Sequence, residues 1–215
     1  RQFLSGVRDD AGKAIVVYNG VAAGAAAAPK EKVFAFAGRL IRDKGVAELT
    51  QAFAIAAPDL PGWRLVIAGE DSAKLFAGRR APLAQARDAL GERLTLLGQV
   101  SHADAMALFG RAEIAVVPSI WQEPFGRTAV EAMGQGCAVI ATCAGGLAEV
   151  VDGAGEIIDA RDIPAFAAAL RRVALDEPLR RRLQEKARTR AQEVFDIRRV
   201  TESLDAARAR LLTKR

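Results

Sequence analysis

The chain has one histidine, one tyrosine and two cysteines among its 215 residues, and aromatic side chains make up only 6%. A single histidine, His102, excludes a histidine-built metal cluster. Cys137 and Cys143 lie in an apolar stretch with no Cys or His at ligand spacing, so no metal site is expected there. They read as buried free thiols in a reducing cytoplasm. There is no Asp-x-Asp metal motif. No strand-like run is followed by G-x-G-x-x-G, which sets aside a dinucleotide oxidoreductase. No apolar run approaches the roughly 20 residues of a membrane-spanning helix, and the amino terminus shows no secretory-signal pattern. The first residue is Arg1 rather than Met, so the sequence reads as a fragment or a processed product with an upstream part not seen.

What is present suits a packed domain. Hydrophobic residues make up 51% and charged residues 27%, and the length fits one α/β domain with trailing helices. The net charge of +5 is uneven. Residues 171–215 carry 14 basic and 7 acidic side chains, against 17 and 19 in the rest of the chain. This basic tail fits solvated, Arg-rich helix faces first, and an anionic membrane surface or an acidic acceptor second. Nucleic acid is not expected as a partner, because almost no aromatics interleave with these arginines.

Along the chain, short apolar runs alternate with helical patterns. Strands are expected at 14–18 (closed by Asn19-Gly20), 33–37, 63–68, 94–97, 114–117, 137–141 and, weakly, 156–158. Residues 22–29 read as a small-residue loop. Helices are expected from Asp43, as N-cap, to 57, then at 73–90, 103–111 (capped by Ser101 or His102) and 127–135. A short helix should follow Gly145-Gly146. From 164 to 212 the pattern is helical only, broken near Pro178 and near Phe195-Asp196. Strands that are apolar throughout and alternate with helices predict a Rossmann-like parallel sheet with helices on both faces, followed by carboxyl-terminal helices.

Open parallel sheets bind ligands outside the carboxyl ends of their strands. Three loops fall there: 38–45, 118–128 and 142–149. The first leaves its strand through Gly38 and delivers Arg39 and Lys44, two cations suited to a diphosphate or to a solvated loop. The second runs from Glu123 through Phe125, Gly126, Arg127 and Thr128 into a helix carrying Glu131. Free amides at that helix start favour an anion, while the carboxylates favour sugar hydroxyls. Together they suit a nucleotide sugar. The plainer alternative makes Glu131 a surface ion pair and Glu123 part of an exposed turn.

The segment 123–131 resembles the E-x7-E motif of the GT-B retaining glycosyltransferases of group 1 (family 4). Residues 17–21 (VYNGV), 36–40 with Lys44-Gly45 (FAGRL…KG), 65–69 (LVIAG), Leu97-Gly98 with Val100, 117–119 (VPS), and Gly145-Gly146 with Glu149-Val150 resemble that family's segments in the same order. The likeness runs from about residue 17 to 212. It implies that residues 1–20 are an interdomain connection, 21–196 a nucleotide-sugar-binding domain, and 197–215 a helix crossing to an amino-terminal acceptor domain.

By the same resemblance, Arg39 and Lys44 would hold the donor diphosphate and stabilise its developing charge. Gly38 would border the phosphates. Glu123 would contact hydroxyls of the transferred sugar beside the amides of Phe125, Gly126, Arg127 and Thr128, and Glu131 would accept from the ribose. Backbone around Val100 would border the base, and transfer would need no metal or other cofactor.

Arg127 departs from the aliphatic residue often found there, and is either an additional ligand contact or outward-pointing. His102 reads as a cap or an exposed residue rather than a base contact. Trp121 is expected to pack the loop before Glu123. A UDP-sugar is preferred over a GDP-sugar, because no acidic residue stands beside Val100. Location in the cytoplasm, with peripheral membrane contact, would suit a polysaccharide or lipid-linked acceptor. The rival readings are a non-catalytic nucleotide-binding module and a nucleotide-sugar epimerase.

Overall fold

Six apolar runs pair into one sheet in the computed structural model, which describes residues 16–22, 29–70 and 80–212. The strands are β1 (Glu31–Ala37), β2 (Arg64–Ala68), β3 (Leu94–Gly98), β4 (Ala112–Val117), β5 (Ala138–Thr142) and β6 (Glu156–Ile158). All pairings are parallel, in the order β3-β2-β1-β4-β5-β6. The order reverses between β1 and β4, so the crevice of the sheet opens there.

Both faces of the sheet are covered, as the unbroken apolar strands predict. Phe34 and Phe36 of β1 face a core shared with α1 (Val46–Ala56), α2 (Arg80–Leu90) and α6 (Ile163–Leu175). The Phe34 ring lies 5.5 Å from Phe53 and 4.9 Å from Trp63. Val33 and Ala35 face the opposite core, built with α3 (His102–Arg111), α4 (Arg127–Gly134), α5 (Leu147–Val151) and α7 (Glu177–Val194). The last helix, α8 (Ile197–Leu212), is mostly exposed.

Local chemistry sets the helix starts. Ser101 Oγ accepts the Asp104 amide at 3.1 Å, and Asp176 accepts the Leu179 amide at 2.8 Å with Pro178 inside the first turn. The break expected at Pro178 is therefore a helix start. Asp196 Oδ1 accepts the Arg198 amide at 2.9 Å and opens α8.

Several expectations are corrected. Asp43 caps nothing: it sits in a 3-10 turn, Arg42–Lys44, and α1 begins only after Gly45. Gly45 holds φ 66°, and a Cβ there would fall 1.9 Å from the Pro118 carbonyl oxygen. The close approach of the two loops, not a capping side chain, sets that helix start.

Residues 16–18 form no strand, and Val16 is 54% exposed. No sheet edge receives them. The chain instead bonds at Val21 to the bend before α8, through Val21 N to Phe195 O at 2.8 Å and Ile197 N to Val21 O at 3.0 Å. The expected start of that strand, the 73–79 part of the second helix and most of the 22–29 loop lie outside the described residues. Trp121 is 44% exposed, so it covers the loop only partly.

The basic tail is not simply solvated. Arg180 is buried over the Trp63 ring and donates to Ala174 O at 2.7 Å. Arg190 donates to the carbonyls of Val150 and Glu149, each at 2.7 Å. Arg171 pairs with Asp59 at 2.7 Å. These arginines fasten the trailing helices to the body. Among the described residues no helix is long and apolar enough to cross a membrane.

The two thiols differ, which corrects the expectation that both are buried. Cys137 is buried beneath the sheet and donates to Phe109 O at 3.1 Å, and burial pushes its thiol pKa up to about 12. Cys143 is exposed, because it stands just past the end of β5. Iodoacetamide should therefore modify Cys143 in the native protein and reach Cys137 only on unfolding, as peptide mass mapping with and without urea will check.

Candidate functional site

A cleft of about 280 Å³ opens at the carboxyl ends of β1 and β4. The sheet order places it there, because α1 leaves β1 on one face and α4 leaves β4 on the other. Its lining brings together Gly38, Lys44, Glu123, Phe125, Gly126, Arg127 and Thr128 of the residues expected from sequence. Arg39, Glu131 and Val100 do not line it. Arg39 is exposed just beyond Gly38; its carbonyl accepts the Ile41 amide at 2.9 Å, and its side chain has no hydrogen-bond or ion-pair partner among the described residues. The Val100 side chain packs partly into the core instead.

Glu123 is the buried charge of the cleft, with only 8% of its surface exposed. It does not belong to an exposed turn. Its Oε1 accepts from Lys44 Nζ in a close ion pair and from Ser119 Oγ at 2.6 Å. Burial pushes the carboxyl pKa up. The hydrogen bonds from Lys44 and Ser119, the Lys44 charge and a bond from Trp121 outweigh burial and hold the pKa below the ordinary glutamate range.

Backbone geometry fixes this loop from two sides. Gly145 and Gly146 clamp it: Gly146 N donates to Glu123 O at 2.7 Å, and Gly145 bridges Glu123 in parallel. Gly145 holds φ 62°, and a Cβ there would lie 2.3 Å from Glu123 O. On the other side, Ile120 N donates to Asp43 O at 2.9 Å, tying the Lys44 turn to the same loop. The three loops picked out in the sequence thus meet at Glu123.

The amino-terminal end of α4 supplies the anion-favouring pole. Its cap is Gly126, with φ 98° and no side-chain hydrogen bond; the Ala129 amide donates to Gly126 O at 3.0 Å, and the amides of Arg127 and Thr128 before it have no intrahelical acceptor. Arg127 bends back to donate to Glu131 Oε1 at 3.0 Å, and His102 Nε2 lies 3.2 Å from the same oxygen. Glu131 accordingly makes the ion pair that the plainer alternative foresaw, but its own side chain is only 12% exposed.

Sequence reasoning missed two polar lining residues, Ser119 and Asn19. In the sequence Ser119 stands out only within the Val-Pro-Ser segment, and Asn19 only within the Asn-Gly turn and the 17–21 segment. Ser119 is 2% exposed and its carbonyl accepts Thr142 Oγ1 at 2.6 Å, so its position follows from β5, far away in sequence. Among the described residues no group of three or more His, Cys, Asp or Glu is placed to hold a metal ion.

A doubly covered parallel sheet, with an anion-favouring helix start and a buried carboxylate at its switch point, has the chemistry for a ligand that carries both phosphates and hydroxyls. Residues 23–190 match the family model of glycosyl transferases group 1, and the chain belongs to that family. It is 35% identical over 164 residues to the glycogen synthase of Mycobacterium tuberculosis (strain H37Rv), covering 75% of this chain and 38% of that protein. Over 187 residues it is 33% identical to the D-inositol 3-phosphate glycosyltransferase of Mycobacterium bovis (strain BCG), covering 85% and 38%. The chain therefore spans well under half the length of these relatives.

Among solved structures it is similar to sucrose-phosphate synthase from Thermosynechococcus elongatus, with a TM-score of 0.74 and 29% identity over 86% of this chain and 46% of that one. Anabaena HepE, solved in complex with UDP, shares the fold with a TM-score of 0.72 and 23% identity, covering 86% and 50%. The domain is built like the nucleotide-sugar-binding half of GT-B enzymes.

Two outcomes follow from the geometry around Glu123. Gly145→Ala must accept both a positive φ and a clash with Glu123 O, and should lower unfolding free energy by about 2 kcal/mol or more, read from urea denaturation. The lowered carboxyl pKa means that the stabilisation from Glu123 is fully present above the ordinary glutamate range. It is lost as pH falls through the depressed folded value. Glu123→Gln should flatten the acid limb of stability between about pH 5 and pH 3, read from urea midpoints across that range.

Proposed function

We propose that this chain is the donor-binding domain of a retaining, family 4 glycosyltransferase. The enzyme would move a hexose from a nucleotide-diphosphate sugar to a glycan or lipid-linked acceptor held by an amino-terminal domain. Residues 1–20 and 197–215 connect the two halves, and this domain alone does not transfer sugar. The observation that carries the reading is the cleft itself: a buried carboxylate held by a lysine lines it together with the helix start at residues 126–128, at the β1/β4 switch point.

The roles follow from the chemistry of each group. Lys44, Arg39 and the amides from Phe125 to Thr128 hold the diphosphate and stabilise the charge that grows on it as the glycosidic bond breaks. Gly38, without a side chain, lets the phosphates approach the backbone. Glu123 accepts from hydroxyls of the transferred sugar. Glu131 accepts from the ribose, and the backbone at Val100 borders the base. These cations and amides supply the positive field, so no metal ion is called for. UDP is the favoured nucleotide, since no acidic residue adjoins Val100 in the sequence to meet a guanine edge. HepE, which shares the fold, was solved with UDP bound. The enzyme works in the cytoplasm, at the membrane face where a lipid-linked acceptor is presented.

Calorimetric titration with UDP, GDP and ADP tests this reading. UDP should bind, and Arg39→Ala should weaken it about tenfold through loss of a charge-assisted phosphate contact. Because the Arg39 side chain is exposed and has no partner among the described residues, thermal stability should stay unchanged. A protein that binds none of the three nucleotides at millimolar concentration overturns the proposal.

A further inference from the structure

We propose that Arg127 is a third phosphate-binding cation of the cleft. It is held on Glu131 until a nucleotide arrives, and is then exchanged onto the diphosphate as the ribose takes its place. This inference rests on the nucleotide-sugar reading above and adds to it a ligand-driven exchange.

The geometry is that of a pair built to be broken. Arg127 lines the cleft from the first turn of α4, where the amides favour an anion. Its side chain is 68% exposed, and its Nη2 lies 3.0 Å from Glu131 Oε1. An i, i+4 ion pair whose cation stands in solvent is weak on that side, and the guanidinium gives way readily to a stronger partner. A diphosphate is such a partner, because a guanidinium can fork onto two of its oxygens.

Glu131 is not stranded when Arg127 leaves. His102 Nε2 stays 3.2 Å from Oε1, and a ribose hydroxyl can donate to the carboxylate. Lys44 and Glu123 repeat the arrangement deeper in the cleft, at side-chain exposures of 23% and 10%. Each carboxylate that would take a hydroxyl thus holds a cation that would take a phosphate. A ligand carrying both groups satisfies all four charges at once. A nucleoside, by contrast, must displace Arg127 without offering it anything in return.

That contrast gives effects of opposite sign. In Arg127→Ala the diphosphate loses a contact while the ribose loses a competitor. NMR-detected titration of the full chain with UDP and with uridine reads both. Arg127→Ala should weaken UDP about tenfold and tighten uridine about two- to threefold. In the Glu131→Gln background, Arg127→Ala should no longer tighten uridine, because no ion pair remains to be broken. An unchanged UDP affinity, or a parallel loss for UDP and uridine, overturns the exchange and leaves Arg127 a surface or helix-stabilising residue. If the unsubstituted chain binds neither probe, the nucleotide-sugar reading itself fails and takes the exchange with it.

Discussion

The architecture of the cleft depends on keeping one carboxylate charged where water hardly reaches it. Desolvating Glu123 alone is unfavourable, since burial favours the neutral acid. The charge persists because Lys44 and Ser119 converge on one oxygen, and they come from different loops. Lys44 arrives from the turn after β1 and Ser119 from the exit of β4. Gly145 and Gly146, after β5, grip the backbone of Glu123 from the other side. Three strand ends are thereby held to one geometry, and a shift in any of them would leave a buried charge without its partner.

The same logic explains where glycine is indispensable. At Gly45 and Gly145 the backbone adopts positive φ, and another loop's carbonyl occupies the space of a Cβ. These contacts join elements separated by roughly seventy and twenty residues of chain. They bring the Lys44 turn and the Gly145-Gly146 turn against the Glu123 loop closely enough for the side chains to meet. The aromatic ring of Phe125 extends this connection outward. It stacks 6.0 Å from Tyr18 and lies 5.7 Å, edge-on, from Phe195, where the chain bends into α8.

Much of this was legible in the sequence, for reasons that are local. Apolar runs such as 65–68 and 138–141 are buried on both faces of a parallel sheet, so they carry no polar alternation and stand out as strands. The loops 38–45, 118–128 and 142–149 stand out because an open parallel sheet binds ligands at its strand ends, and the first two carry the charges of Arg39, Lys44 and Glu123 beside glycines. What was not legible depends on distant partners. The run 14–18 has strand composition, but no edge receives residues 16–18, and composition does not reveal that. Asp43 has the chemistry of a cap, yet the approach of Gly45 to Pro118 displaces the helix start. The pairing of Arg127 and His102 on one oxygen of Glu131 needs α3 beside α4, a tertiary fact. Cys143 looks like Cys137 in an apolar context, and only the end of β5 separates a buried thiol from an exposed one.

Pairing opposite charges in advance has a consequence for selectivity. A cleft of bare cations would attract any phosphate. Here a free phosphate that draws Lys44 away leaves Glu123 desolvated with one fewer donor, and that loss offsets the gain in attraction. A ligand that brings hydroxyl donors beside its phosphates replaces both sides of the pair and incurs no such loss. Discrimination then comes from the penalty imposed on incomplete ligands as much as from the contacts offered to complete ones. Under the donor-binding reading, this is why carboxylates belong in a site whose ligand is itself an anion: they make recognition conditional on the sugar.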